Sequence, residues 1–450
     1  MTDSANTVSN TWSKPIEAPA SMPDAADVVI IGGGIVGVST AWFLARQGVS
    51  VALCEKGHIA GEQSGRNWGW VRQMGRDTRE LPMMIESMRI WAGLAQEIGE
   101  DVGFERGGCL FMAQTSKSLN ETAQWLSIAK DHELDTRIVE GRELDDLADG
   151  ASKRWVGALY TASDGRAEPH KATPAISRAA ARAGASILTG CAVRGIETGG
   201  GKTSAVVTEH GTIKTSTVLC AAGAWTSMFC RSLGIDVPQL RVKGSVARLG
   251  KSPNVLNGNA YDEKLGIRRR QDGGYTVAHG FLLNHSITPS TLRYAPKFMP
   301  ALMMEFRKLR LSIGGDFINE LSTPTRWALD AISPFEKERV LNPAPSQRVL
   351  RQTRRAVDRL FPELKSSSIV ETWAGMVETT PDVVPVMCES DTIAGFFIAT
   401  GFSGHGFGIG PGAGKAAAAM LTKSDSGIDL SELHLKRFFD GSPIRPQSSV

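Results

Sequence analysis

The chain has 450 residues, 42% hydrophobic and 22% charged, with a formal net charge of +3. That length predicts two or three domains, and a near-neutral chain with no basic tract beyond Arg268-Arg269-Arg270 offers nucleic acid no electrostatic footing. Six scattered cysteines (Cys54, Cys109, Cys191, Cys220, Cys230, Cys388) form no CxxC and have no paired histidines nearby, which argues against a metal site or a disulfide framework and for a reducing compartment.

Residues 1–26 have neither a basic start nor an apolar stretch, so a loose tail is expected rather than a signal peptide. No run of about 18 apolar residues appears anywhere, and a cytoplasmic location without an integral membrane segment is the expectation. Val28 to Ile31 reads as a buried parallel strand, followed at once by Gly32-x-Gly34-x-x-Gly37. The first glycine makes a tight turn, the second admits a pyrophosphate against the backbone, and the third lets helix 35–47 pack on the sheet. Ile35 and Val36 open that helix, where free N–H groups and the positive dipole end favour phosphate. Val51-Ala-Leu-Cys-Glu55 supplies a second strand ending in an acid suited to a ribose diol, with Lys56 behind it. A glycine-rich turn in an α/β domain is the plainer alternative. The strand before, the helix after and the placed acid favour a bound dinucleotide.

Helical spacing recurs at Leu81 to Ile98, Leu119 to Glu133 and Thr173 to Ala183. Met83, Met84 and Met88 fit a core stripe better than a pocket wall. Segments 185–188, 193–198, 203–209 and 212–215 read as a β-meander leading into a second buried strand, 217–225, that breaks on Gly223. From about 240 to 370 the pattern changes to alternating strands and a helix-like stretch, Pro296 to Leu311. A proline-rich loop at 324–345 holds Trp327. This region is expected as an inserted domain over the dinucleotide. Residues 395–401 form a further buried strand, Gly404-His405-Gly406-Phe407-Gly408 a second glycine loop, and Lys415 to Thr422 a helix.

Gly32 to Glu55, Cys220-Ala-Ala-Gly-Ala-Trp225, Trp373-Ala-Gly-Met-Val-Glu-Thr-Thr-Pro-Asp382 and Thr400 to Gly410 occur in this order. Together they resemble the D-amino acid oxidase / sarcosine oxidase family of FAD-dependent amine oxidoreductases. Segment 60–112 is most similar to the sarcosine oxidase β subunit and to opine oxidase or D-amino acid dehydrogenase subunits. The resemblance implies an α/β fold: a Rossmann-like FAD-binding domain from discontinuous segments (27–80, 150–240 and 372–440) and an α+β, mixed-sheet substrate domain (81–149 and 241–371). It implies FAD on the first glycine loop. Ser64 and Gly65 would face the pyrophosphate, Val193 the adenine, and Ala222, Gly223 and Trp225 would lie beside the cofactor. Gly404, His405, Gly406, Phe407 and Gly408 would approach the isoalloxazine ring, where a helix N-terminus stabilises negative charge on it.

Departures from the family pattern carry information. Gly375 stands where monomeric sarcosine oxidases attach flavin to a cysteine, so non-covalent FAD is expected. Gly408 stands where those enzymes place a lysine for the substrate carboxylate. Lys171 replaces a histidine that carries a second flavin, FMN, in the heterotetrameric β subunit, leaving His170 beside it as a surface or helix-start residue. Arg72 matches the carboxylate-binding arginine, a role its forked guanidinium suits, though a surface salt bridge is the bland alternative. Trp68 and Trp70 read as pocket wall or core, and Arg269 as aimed at the flavin or as part of a solvated cluster. His405 reads as structural or as a proton carrier, Trp373, Thr380 and Asp382 as shaping the flavin loop, and Lys243 as a strand end near the pocket or a solvated turn.

The implied activity is oxidation of the C–N bond of an amino acid or N-substituted amino acid to an imine, which water hydrolyses. O2, a protein or a quinone would take the electrons. Two alternatives stand beside it: one subunit of a heteromeric dehydrogenase passing electrons to a partner, and a flavin-binding protein without chemistry.

Overall fold

The computed structural model describes residues 21–152, 155–280, 282–305 and 309–446. A six-stranded sheet runs in the order Val386–Glu389, Phe396–Thr400, Val218–Cys220, Val28–Ile31, Val51–Glu55, Ser186–Thr189. All neighbours are parallel except the first pair, and the strands are apolar along their length, as burial on both faces requires. Parallel pairing has a direct consequence for the motifs. The loops after Ile31, Cys220 and Thr400 all leave the same sheet edge, so three glycine motifs far apart in sequence meet in space.

Helix Gly406–Thr422 packs against helix Ile35–Arg46 on one side and helix Leu81–Ile98 on the other. Its glycines allow this. A Cβ on Gly414 would lie 2.4 Å from the Ser39 Cβ, and one on Gly412 would lie 2.3 Å from the Met83 carbonyl oxygen. Pro411 sits inside this helix and has no N–H to give the preceding turn, and beside it a side-chain hydroxyl bridges Gly412 and Gly408. The Gly412 N–H donates to Ser87 Oγ at 3.2 Å, Ser87 Oγ donates to the Gly408 carbonyl at 2.7 Å, and the Trp91 indole N–H joins the same carbonyl at 2.8 Å.

The second large sheet has ten strands. In order these are Leu309–Ser312, Leu283–Ser286, Leu240–Leu249, Tyr275–Ala278, Leu265–Arg269, Asn259–Asp262, Cys109–Ala113, Gly157–Thr161 and Thr136–Val139, with Ile369–Thr379 paired along Leu240–Leu249. Among the described residues no helix is long and apolar enough to cross a membrane.

Several expectations change. Residues 1–20 lie outside the described residues, but 21–26 are tied down: Ala26 N–H donates to the Lys214 carbonyl at 3.0 Å and Lys214 N–H to that of Asp24 at 2.9 Å. The helix expected at 119–133 is two, Ser116–Ala123 and Leu126–Asp131. Ser186–Thr189 belongs to the parallel sheet rather than to the meander, which keeps only Val193–Gly199, Lys202–Thr208 and Gly211–Lys214. The helix read from Pro296 starts at Pro289, ends at Glu305 and gives way to a strand at Leu309; Pro296 and Pro300 lie inside it. The last helix opens at Gly406, so the second glycine loop runs directly into it.

Three elements also sit across the expected domain division. Leu81–Ile98, placed with the substrate domain, shares its core with Ile30 and Val38, and its methionines 83, 84 and 88 are buried there. Gly157–Thr161 and Ile369–Thr379, placed largely with the nucleotide domain, are strands of the second sheet. We expect Ser87→Ala, which removes the buried hydroxyl that bridges the Gly412 N–H and the Gly408 carbonyl, to destabilise the fold by roughly 1–3 kcal/mol. The urea unfolding midpoint checks it, and an unchanged midpoint would mean that the bridge carries no stability.

Candidate functional site

One cavity of about 640 Å³ joins all the glycine motifs. At one end Gly32 turns the chain at φ +112°, where its missing Cβ would lie 2.4 Å from the Ala221 carbonyl oxygen. Gly37 closes behind it: a Cβ there would lie 2.1 Å from the Gly32 carbonyl oxygen. The variable position of the motif is also a glycine, because a Cβ there would lie 2.6 Å from Ile59 Cδ1 and 3.0 Å from Glu55 Cβ. Gly33 N–H donates to Glu55 Oε2 at 2.7 Å, Gly57 N–H donates to Glu55 Oε1 at 2.7 Å, and burial pushes that carboxyl above its usual range. Ser64 Oγ accepts the Ile35 N–H at 2.9 Å and so caps the first helix.

Gly32, Gly34, Ile35, Val36, Glu55, Lys56, Ser64, Val193, Ala222, Gly223, Trp225, Gly375, Gly404, His405, Gly406 and Phe407 all line this cavity. Gly37, Gly65 and Gly408 do not. They are close-packing positions: a Cβ on Gly65 would meet the Ala60 carbonyl oxygen at 2.3 Å, and one on Gly408 would meet the Trp70 carbonyl oxygen at 3.0 Å. Arg269 is likewise away from the cavity. Its cross-strand neighbour is Tyr275, so its guanidinium lies over that ring at 4.9 Å and donates to the Ser252 and Pro253 carbonyls. Lys243 holds the Ala344 carbonyl, Trp373 donates to that of Arg66, Thr380 to that of Val384, and Asp382 pairs with Arg79 and Arg437. His170 sits 3.7 Å from Glu168, and Lys171 pairs with Asp101.

The proline-rich segment closes the nucleotide end. Phe335 packs on Trp225 and Phe229, and Phe335 and Val340 both line the cavity. Lys56 Nζ donates to the carbonyls of Glu338 and Arg339, pairs with Glu62 at 3.0 Å and lies over the Trp225 ring at 4.1 Å. Trp327, expected in a loop, donates its indole N–H to the Arg194 carbonyl at 2.7 Å. No local pattern in 324–345 announces this role; proline content alone says only that the segment is not a regular element.

At the other end the second glycine loop meets a buried set of charges. Gly404 takes φ +88°, and helix Gly406–Thr422 starts immediately after His405. His405 Nδ1 lies 2.9 Å from Glu80 Oε1, and Arg76 Nη1 is 3.8 Å from the same oxygen. Burial, with Arg76 nearby, holds the imidazole down at about 4. Burial would raise Glu80, but His405, Arg76 and Arg72 together keep it below the usual carboxylate range. Burial thus keeps His405 uncharged at pH 7, with Nδ1 beside the buried Glu80 oxygen in a contact that falls short of hydrogen-bond geometry. Arg72 is 4% exposed, donates to the Met74 carbonyl and lies between Trp70 and Phe111, at 6.0 and 5.1 Å from the ring centres. Asp164 faces this pair, lifted by burial to about 6 while accepting the Gln73 and Met74 N–H groups. Arg72, Arg76, Trp68 and Trp70 all reach the cavity. Sequence reasoning missed Arg76, Glu80 and Gln63, which lie in the same stretch as Ser64 and Arg72 but belong to no motif.

The residues fit FAD. The donor set at the first helix start suits a pyrophosphate, the Glu55 carboxylate a ribose, and the glycine loop at 404–406 leaves room where a side chain would stand. From the Gly404 loop an apolar arm continues under helix Pro289–Glu305, lined by Val242, Leu283, Ile287, Ala295, Phe298 and Leu309.

Comparison with known proteins agrees with this geometry. The family described as FAD dependent oxidoreductase matches residues 27–420. Mouse (Mus musculus) mitochondrial sarcosine dehydrogenase is 25% identical over 437 residues, covering 93% of this chain; the chain spans only 42% of that protein's length. The sarcosine oxidase β subunit of an Arthrobacter species is 22% identical, with 93% and 92% of the two chains covered. The L-amino acid deaminase of Proteus myxofaciens, solved in complex with anthranilate, superposes with a TM-score of 0.91 at 35% identity, covering 95% of this chain and 96% of that one. The glycine grip, its acid and the second glycine loop all fall within the matched span, and the chain belongs to the FAD dependent oxidoreductase family, whose cofactor the residues of this cavity fit.

Proposed function

We propose that the chain oxidises the C–N bond of an amino acid, or of an N-substituted amino acid, to an imine. The observation that carries this reading is that one cavity runs from the nucleotide grip to a wall holding buried guanidinium groups beside an apolar arm. Bound FAD supplies the hydride acceptor; the rest of the task is positioning. In this reading Arg72, backed by Arg76, binds the substrate carboxylate, and Trp68 and Trp70 wall it. The neutral His405 keeps the ring-facing loop in place through Glu80. The arm beneath helix Pro289–Glu305 takes a large apolar side chain. At Gly375, which offers no side chain to the cofactor, FAD is held non-covalently.

A second reading concerns where the electrons go. Leu292, Met303, Ile313, Ile318 and Leu321 are exposed on helix Pro289–Glu305 and the segment that follows it, which favours a partner or a lipophilic quinone over O2 as acceptor. Turnover in air that releases stoichiometric hydrogen peroxide from the purified chain would rule it out.

Anaerobic mixing with D- and L-amino acids, N-methyl amino acids and opines tests the main reading. Flavin absorbance is expected to bleach, fastest with large apolar side chains; no bleaching with any of them overturns it. Arg72→Leu is expected to raise KM by about a hundredfold for an amino acid while FAD stays bound. An unchanged KM would remove Arg72 from the substrate site. Glu80→Gln leaves buried arginines without their carboxylate and is expected to destabilise the protein by roughly 3 kcal/mol, read from urea unfolding.

A further inference from the structure

Glu378 is a buried carboxyl that the reading above does not use. It is 4% exposed, lines the cavity and accepts a hydrogen bond from the Gln63 side-chain amide. Its surroundings are polar. Gln63 also lies 3.3 Å from where a Cβ on Gly223 would stand, and the Gly223 carbonyl accepts from Gln239 at 3.2 Å and from Thr400 at 3.3 Å.

The charged groups around Glu378 do not neutralise it. Arg241 stands directly across on the paired strand, but its guanidinium donates to the Ala224 carbonyl at 2.9 Å and lies over the Trp225 ring at 4.9 Å. Arg241 is shared among four acids, Glu62, Glu320, Glu338 and Glu378 itself, with Glu378 the weakest of them. From the turn before helix Gln63–Arg66, Glu62 presents a like charge, itself paired with Lys56. The 400–403 loop supplies the Phe402 backbone amide. Among the described residues Glu378 has no ion pair, and a buried carboxyl in that position holds its proton more tightly.

We propose that Glu378 is a cofactor-binding acid: in its neutral form it donates an O–H hydrogen bond to FAD, and on ionising it loses that bond and weakens the grip. The structure gives the working range, because burial, opposed by the Gln63 and Phe402 donors, lifts the carboxyl to about 7. Since the folded site holds the proton above the ordinary carboxylate range, the contribution is complete in acid and is lost as pH rises through neutrality.

The test uses the FAD-loaded protein and Glu378→Gln, which keeps the shape and the acceptor for Gln63 but cannot ionise. FAD release on dilution, followed by the rise in flavin fluorescence, gives a dissociation constant at about pH 6 and at about pH 8.5. The wild type is expected to weaken by about fivefold or more across that interval and E378Q to stay within about twofold. A protonated-carboxyl infrared band that titrates in the wild type and is absent from E378Q reports the same proton without reference to activity. The same pH ratio in both proteins, or the absence of a titrating band, overturns the proposal.

Discussion

The cofactor end of this protein depends on a backbone contact with no room in it. Gly32 and Gly37 bring the first turn, the first helix and the Ala221 strand end within distances that even a methyl group would violate. Because the strands are parallel, that contact also fixes where the loops after Cys220 and Thr400 emerge. Glu55, Ser64 and Gly223 then fall around one volume without needing any pairwise attraction among themselves. The sheet supplies the geometry, and the side chains supply selectivity within it.

How much of this was legible in the sequence follows from which constraints are local. The glycine fingerprint, the apolar strands and the methionine stripe obey short-range rules, and the structure agrees with each. The family signatures located Gly375, Gly404 and Gly406 on the cavity. Arg269 failed for a definite reason: alternation says that neighbouring side chains point to opposite faces, but not which face looks inward, and Tyr275 takes Arg269 to the other side. Gly33, Glu80 and Phe335 were invisible because each owes its role to a partner far along the chain or to a single backbone N–H. Helix ends were read less well than helix centres, as at Pro296, where a residue that usually opens a helix lies within one.

The buried charges near His405 show a different balance. Arg72, Arg76, Glu80 and Asp164 are all almost fully removed from water, and two acids offset two bases. Such an arrangement is seldom a source of stability, since desolvation consumes most of what attraction returns. Its value lies in position: the second glycine loop ends on a histidine that sits against a buried acid from outside the loop.

That partner belongs to the same segment as Ser87 and Trp91. Glu80, Ser87 and Trp91 are spaced seven and then four residues apart, so one face of one helix holds both His405 and the Gly408 carbonyl. The helix acts as a splint laid along the proline-containing first turns of its neighbour. Moving the start of helix Gly406–Thr422 therefore means giving up its hydrogen bonds to this helix, so that its opening draws on the stability of the surrounding core.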